Sequence, residues 1–191
     1  GRAGHVYVTP GTGDSGTGGE LVLKAGIASS VISGGKVVVM TGSNSAGRSS
    51  GALLLSTADS GATGVSGIMV MSTGTSGSGN TGALYIGSGL SKGGRGGAVY
   101  VSVGEGNTDT GGELVIHAGT STATTGGKVT IYTGDGTITT SGSLLLRTGD
   151  AGDSGSSGLL ILSTGDATSG NSGGLYIGSG AGVNGRAGHV Y

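Results

Sequence analysis

The sequence predicts an all-β fold, a parallel β-solenoid (β-helix) of about twelve coils of 15–16 residues that continues beyond both ends. Three observations carry that expectation: a fixed period, an alternation of apolar residues within each period, and a composition with little else to build from. A pattern of Gly, variable, aliphatic, variable, aliphatic, two more residues and usually Gly begins at Gly4, Gly19, Gly35, Gly51, Gly67, Gly82, Gly97, Gly112, Gly127, Gly142, Gly158 and Gly173, and restarts at Gly188. Successive starts are 15 or 16 residues apart, with no long insertion between them. Self-similarity at a fixed short period is the signature of stacked repeats.

Within each unit the apolar residues alternate, as in Leu21 and Leu23, Val37 and Val39, Leu53 and Leu55, Leu84 and Ile86, and Leu160 and Leu162. Alternation with period two puts such residues on one face of an extended strand. One short strand with a Gly, Ser and Thr-rich return is too small to bury its own apolar face, and stacking equivalent units is the usual remedy. At about 4.8 Å per coil, twelve coils give a rod of about 58 Å.

Units 1 to 6 match units 7 to 12 in order. GGELVLKAG from Gly18 returns as GGELVIHAG from Gly111, GGKVVVMTG from Gly34 as GGKVTIYTG from Gly126, and ALYIGSG from Ala83 is echoed by GLYIGSG from Gly174. The expected organisation is a single continuous solenoid segment over 1–191, with a first six-coil block at 4–96, a second at 97–187, and the start of the next period at 188–191. GRAGHVY opens the sequence at Gly1 and closes it at Tyr191, so the expectation is a window on a longer periodic protein. Solenoid ends are normally blunted by atypical caps, and a thirteenth unit that restarts the first makes axial growth the default.

Gly is 49 of 191 residues, and Ser and Thr together are as numerous. Such a composition often means disorder, but a flexible linker has no reason to hold aliphatics at constant phase. Collagen is excluded by a single Pro and the lack of a three-residue period. Net charge is −1 with 10% charged residues, which leaves no basic field for nucleic acid. No apolar run approaches the ~18–20 residues of a membrane span, and without Cys neither disulfides nor thiolate metal sites form.

The middle residue of each strand points away from the two inward aliphatics. That column reads Tyr7, Val22, Val38, Leu54, Val70, Tyr85, Tyr100, Val115, Thr130, Leu145, Ile161 and Tyr176. An almost wholly apolar stripe of this length exceeds the patch normally left bare on a soluble protein. Its apolar members are therefore candidates for a lateral interface with a second rod, another stretch of the chain, or attached carbohydrate. Glu20 with Lys36, and Glu113 with Lys128, share a position in adjacent coils, where opposite charges one strand apart attract.

Candidates for chemistry are few. His5, His117 and His189 form no cluster, since the last repeats the first, and no catalytic or cofactor site is expected. Asp135, Asp150 and Asp166 follow the turn glycine of three successive coils. They form either a solvated column or a weak site for a hard cation such as Ca²⁺, and the matching places in the first block are Ser43, Asp59 and Thr75. Thr41, Thr57, Thr73, Thr133, Thr148 and Thr164 make a column in phase with the inward aliphatics, without the paired outward Thr arrays of an ice-binding face. Ser and Thr in the return segments offer O-glycan attachment points, whereas no Asn-x-Ser/Thr sequon occurs.

SGSLLLRTG from Ser141 and SGLLILSTG from Ser157 resemble the Gly/Ser/Thr-rich tandem repeats of secreted and cell-surface β-solenoid proteins, notably of algae and other stramenopiles. The resemblance spans the whole chain and implies an extracellular structural or adhesive component. The expected function is a structural fibre protein at the cell surface, its coils continued end to end and its rods packed on one another. The alternative is an adhesive or ligand-presenting solenoid that binds glycan, ice or a cation.

Overall fold

The computed structural model describes residues 3–29, 33–108 and 110–191. Among these residues there is neither a helix nor a strand, and none of the apolar side chains is buried. The expected β-solenoid is thus overturned. Close approaches divide the chain into two regions, Gly1–Val99 and Tyr100–Tyr191. Gly1 and Arg2 of the opening heptad lie outside the described residues.

The 15–16-residue period nevertheless governs the backbone. Among the described residues a straight segment, free of turn or bend, precedes each bend, and the bends come at the same phase, 10 or 11 residues after the unit's first glycine. The bends fall at 14–16, 45–47, 62–63, 77–79 and 92–94 in the first region, and at 107–108, 122–124, 137–139, 153–154, 168–170 and 183–185 in the second. Side chains in the straight segments alternate. His5 and Tyr7, two residues apart, bring their ring centroids to 6.1 Å, and His189 and Tyr191 repeat the pairing at 5.8 Å, as residues on one face of an extended backbone do.

What replaces the coil is a loop closed at its neck. The Gly19 amide donates to the Gly11 carbonyl at 2.9 Å, Gly35 to Gly26 at 3.0 Å, and Gly51 to Gly42 at 3.0 Å. In the second region Gly127 donates to Gly119 at 2.9 Å and Gly142 to Gly134 at 3.0 Å. A compact loop whose ends meet is an Ω-type solution. In these five units the bond spans eight residues where the unit has 15 and nine where it has 16, so there the loop absorbs the extra residue.

Loop chemistry follows from the residues that favour turns. Asn44 Oδ1 accepts the amides of Ala46 at 2.8 Å and Arg48 at 3.3 Å, and Gly47 between them adopts φ 74°, a left-handed value that only Gly takes at little cost. Ser76 Oγ accepts the Gly79 amide at 3.0 Å, and Ser121 Oγ accepts those of Ala123 at 3.3 Å and Thr124 at 3.0 Å. Equivalent loops of the two blocks repeat a tight turn: Gly64 donates to Gly61 at 3.2 Å, and Gly155 to Gly152 at 3.3 Å.

The physical reason for the departure from a solenoid lies in these necks. A solenoid coil travels once around an axis, so its ladder bonds join residues one full period apart. In five units a neck carbonyl is instead taken by an amide eight or nine residues on, and among the described residues most close approaches join residues fewer than twelve apart. The chain accordingly exposes 19190 Å², where a folded monomer of its 17.8 kDa exposes about 8,000 Å² and a fully unfolded one about 26,000 Å². The pairs read as inward, Leu21 with Leu23 or Leu160 with Leu162, are half or more exposed.

Candidate functional site

The neck recurs as a close approach even where no backbone bond closes it. From the second unit to the thirteenth, the first glycine lies against the side chain of the residue six places into the preceding unit. A Cβ added to Gly19 would stand 3.0 Å from Pro10 Cβ, one at Gly35 3.3 Å from Ala25 Cβ, and one at Gly51 3.4 Å from Thr41 Cβ. In the second region the same holds for Gly127 with Ala118 at 3.2 Å, Gly142 with Thr133 at 3.2 Å, and Gly158 with Thr148 at 3.3 Å. Gly112 has the least room of the series, against Val103. The opposing residue is otherwise small, being Pro, Ala, Ser or Thr throughout. The threonine column of the sequence therefore faces backbone at the necks.

Each loop shelters the straight segment that follows it. The apolar residue two places after the unit glycine is 52–57% exposed in units 2 to 12, from Leu21 to Leu175, whereas Val6, ahead of the first loop, is 90% exposed. The middle column is barer. Its apolar members are 62–94% exposed: Tyr7, Val22, Val38, Leu54, Val70 and Tyr85 in the first region, and Tyr100, Val115, Leu145, Ile161 and Tyr176 in the second. The residue four places after the unit glycine is as bare as the middle column in some units, as with Leu23 at 74% beside Val22 at 65% and Ile116 at 69% beside Val115 at 62%.

The charged candidates stay apart. Asp135, Asp150 and Asp166 are all exposed, and among the described residues no three acidic or imidazole side chains gather as a metal site would require. Asp150 instead meets Arg147 within its own unit, Oδ2 to Nη2 at 3.5 Å, with both side chains well exposed. This is the ion pair found among the described residues. Glu20 with Lys36 and Glu113 with Lys128 form none, because the coil-on-coil register that would stack them is missing. His117 Nδ1 lies 3.3 Å from the Ala118 carbonyl oxygen, and His5 and His189 lie beside Tyr7 and Tyr191.

Among the described residues there is no pocket, and no helix is long and apolar enough to cross a membrane. Several loop hydroxyls read as glycan acceptors have structural partners: Ser60 Oγ donates to the Gly64 carbonyl at 3.0 Å, and Ser121 Oγ lies 3.3 Å from Thr124 Oγ1. What the chain offers a partner is thus a periodic set of bare aliphatic segments separated by hydroxyl-rich loops. Sequence reasoning missed the neck itself, whose signal was present as a small residue six places after every unit glycine from Gly4 to Gly173 except Gly97. No protein-family model, curated protein or solved structure matches the chain.

Proposed function

We propose that the protein is a structural component that assembles with copies of itself into an extended fibre at the cell surface. The observation that carries this reading is the uncovered apolar column, backed by a surface larger by about 11,000 Å² than a folded monomer of this size presents. A standard protein–protein interface buries only about 1,600 Å², so one partner on one side would cover a minor part. Ordering a backbone costs about 1–2 kcal/mol per residue, and a chain none of whose described side chains is buried must draw the compensating burial from neighbours. A net charge of −1 puts little repulsion between copies.

Copies of the same chain are the favoured neighbours because they carry the same 15–16-residue period, so segment meets segment and loop meets loop along the whole length. Placement at the cell surface rests on the likeness of the repeats to secreted proteins and on loops rich in exposed hydroxyls. Sedimentation velocity and electron microscopy on purified protein test the reading. Concentration-dependent growth into elongated particles is the expected result. A monomer that persists up to millimolar concentration overturns it.

A further inference from the structure

Tyr is the chain's sole member of the Phe, Trp and Tyr group, with six residues, and each is at least 83% exposed. Their positions are not scattered. Tyr7, Tyr85, Tyr100, Tyr176 and Tyr191 all stand three places after a unit glycine, in units 1, 6, 7, 12 and 13. Each six-unit block therefore begins and ends on a tyrosine of the bare middle column. Sliding one copy against another by a whole block sets Tyr7 against Tyr100, Tyr85 against Tyr176 and Tyr100 against Tyr191. Tyrosine meets tyrosine whether two copies align in register or one block out. Tyr132 is the exception: it stands five places after Gly127, and the matching residue of the first block is Met40.

The chain has no Cys, so disulfides cannot fix one copy to another. From the placement of these phenols we infer that the five matched tyrosines are sites of oxidative Tyr–Tyr coupling between assembled copies, with hydrogen peroxide and a haem peroxidase as oxidant. Each phenol gives up one electron and its hydroxyl proton. The two radicals join through ring carbons beside the hydroxyls, and the proton on each joined carbon moves to the oxygen, restoring both rings. Peroxide takes the two electrons and two protons, its O–O bond breaks, and two waters leave. One carbon–carbon bond forms, and the ring hydroxyls are kept.

The inference rests on the self-assembly reading, and the experiment separates the two. Purified protein is brought to a concentration at which sedimentation without oxidant reports assemblies. It is then treated with peroxidase and hydrogen peroxide and examined on denaturing gels, by dityrosine fluorescence, and by mass spectrometry of cross-linked peptides. A covalent ladder is expected, with cross-links among peptides holding Tyr7, Tyr85, Tyr100, Tyr176 and Tyr191. Replacing those five by Phe removes the ladder, while Tyr132→Phe keeps it. Assemblies that yield no ladder, or that couple through Tyr132 as often as through the matched set, overturn the coupling sites alone. Absence of assembly at every concentration overturns the parent reading and this one with it.

Discussion

The amide of Gly142 reaches the carbonyl oxygen of Gly134 at 3.0 Å, and the bond closes a loop whose apex bends at 137–139. Gly51 and Gly42 make the same bond at the same length at the equivalent place in the first block. Two stretches of different sequence, SNSAGRSS and DGTITTS, are thereby held at one kind of neck. The flanking Gly and the small residue before the neck carbonyl are what they share.

The neck predicts a sharp contrast between glycines. In Gly19→Ala the new methyl would sit 3.0 Å from Pro10 Cβ and 3.1 Å from the Gly11 nitrogen, whereas at Gly16, in the same loop, it would meet nothing within 4 Å. Overpacking of this kind costs about 1–3 kcal/mol. Amide hydrogen exchange at residue 19 should accelerate by about tenfold or more in Gly19→Ala and stay unchanged in Gly16→Ala. Equal protection in both variants would refute the neck.

The Asn44 loop predicts a second local effect. Asn44→Ala removes the acceptor shared by the Ala46 and Arg48 amides, a loss of about 1 kcal/mol, so exchange at those two amides should rise by about fivefold. Gly47→Ala strains the same loop through its φ of 74°, at a cost of about 1 kcal/mol. Amides in the loop at 62–63 should respond to neither change.

Legibility in the sequence stopped at a definite point. The Gly-aliphatic-aliphatic rhythm gave the unit boundaries and the phase of the loops, whereas both sets of its alternating residues are exposed. It does not decide which backbone a strand pairs with. Leu21 and Leu23 fit a stacked coil as well as a segment between two loops, and the choice turns on whether the Gly11 carbonyl waits for the next coil or accepts Gly19. The pairs Pro10 with Gly19 and Thr41 with Gly51, nine and ten residues apart, hold that decision, and neither carries an apolar signal.

Assembly through the bare column should answer to solvent as apolar burial does. Sulfate is expected to lower the concentration at which particles form, and cooling from 25 °C toward 4 °C to raise it. Sodium chloride at moderate strength should have little effect, since charged residues are only 10% of the chain. Light scattering across these conditions checks the ordering, and dissolution by moderate sodium chloride would count against apolar association.

Leu145 and Ile161 occupy neighbouring segments of the second region and are 78% and 71% exposed. Changing both to Asp places charges where copies are expected to meet, at a cost of about several kcal/mol on burial, and should abolish particles in sedimentation. Leu90→Asp, on a loop, is the matched control and should leave assembly intact.

The Arg147–Asp150 pair should matter little. At 3.5 Å and with side chains 64% and 88% exposed, such a contact contributes less than about 0.5 kcal/mol. Asp150→Asn should shift neither exchange in its loop nor the onset of assembly by a measurable amount.

Because the five bonded loops are tied by atoms no more than nine residues apart, and the odd sixteenth residue disappears into the loop, those necks need no distant unit to form. Excising a whole module, or splicing in another, would leave the bonds of its neighbours as they were. Such a chain can lengthen or shorten by recombination between its own copies without passing through a misfolded intermediate design, so its contour length is free to drift while its spacing stays fixed.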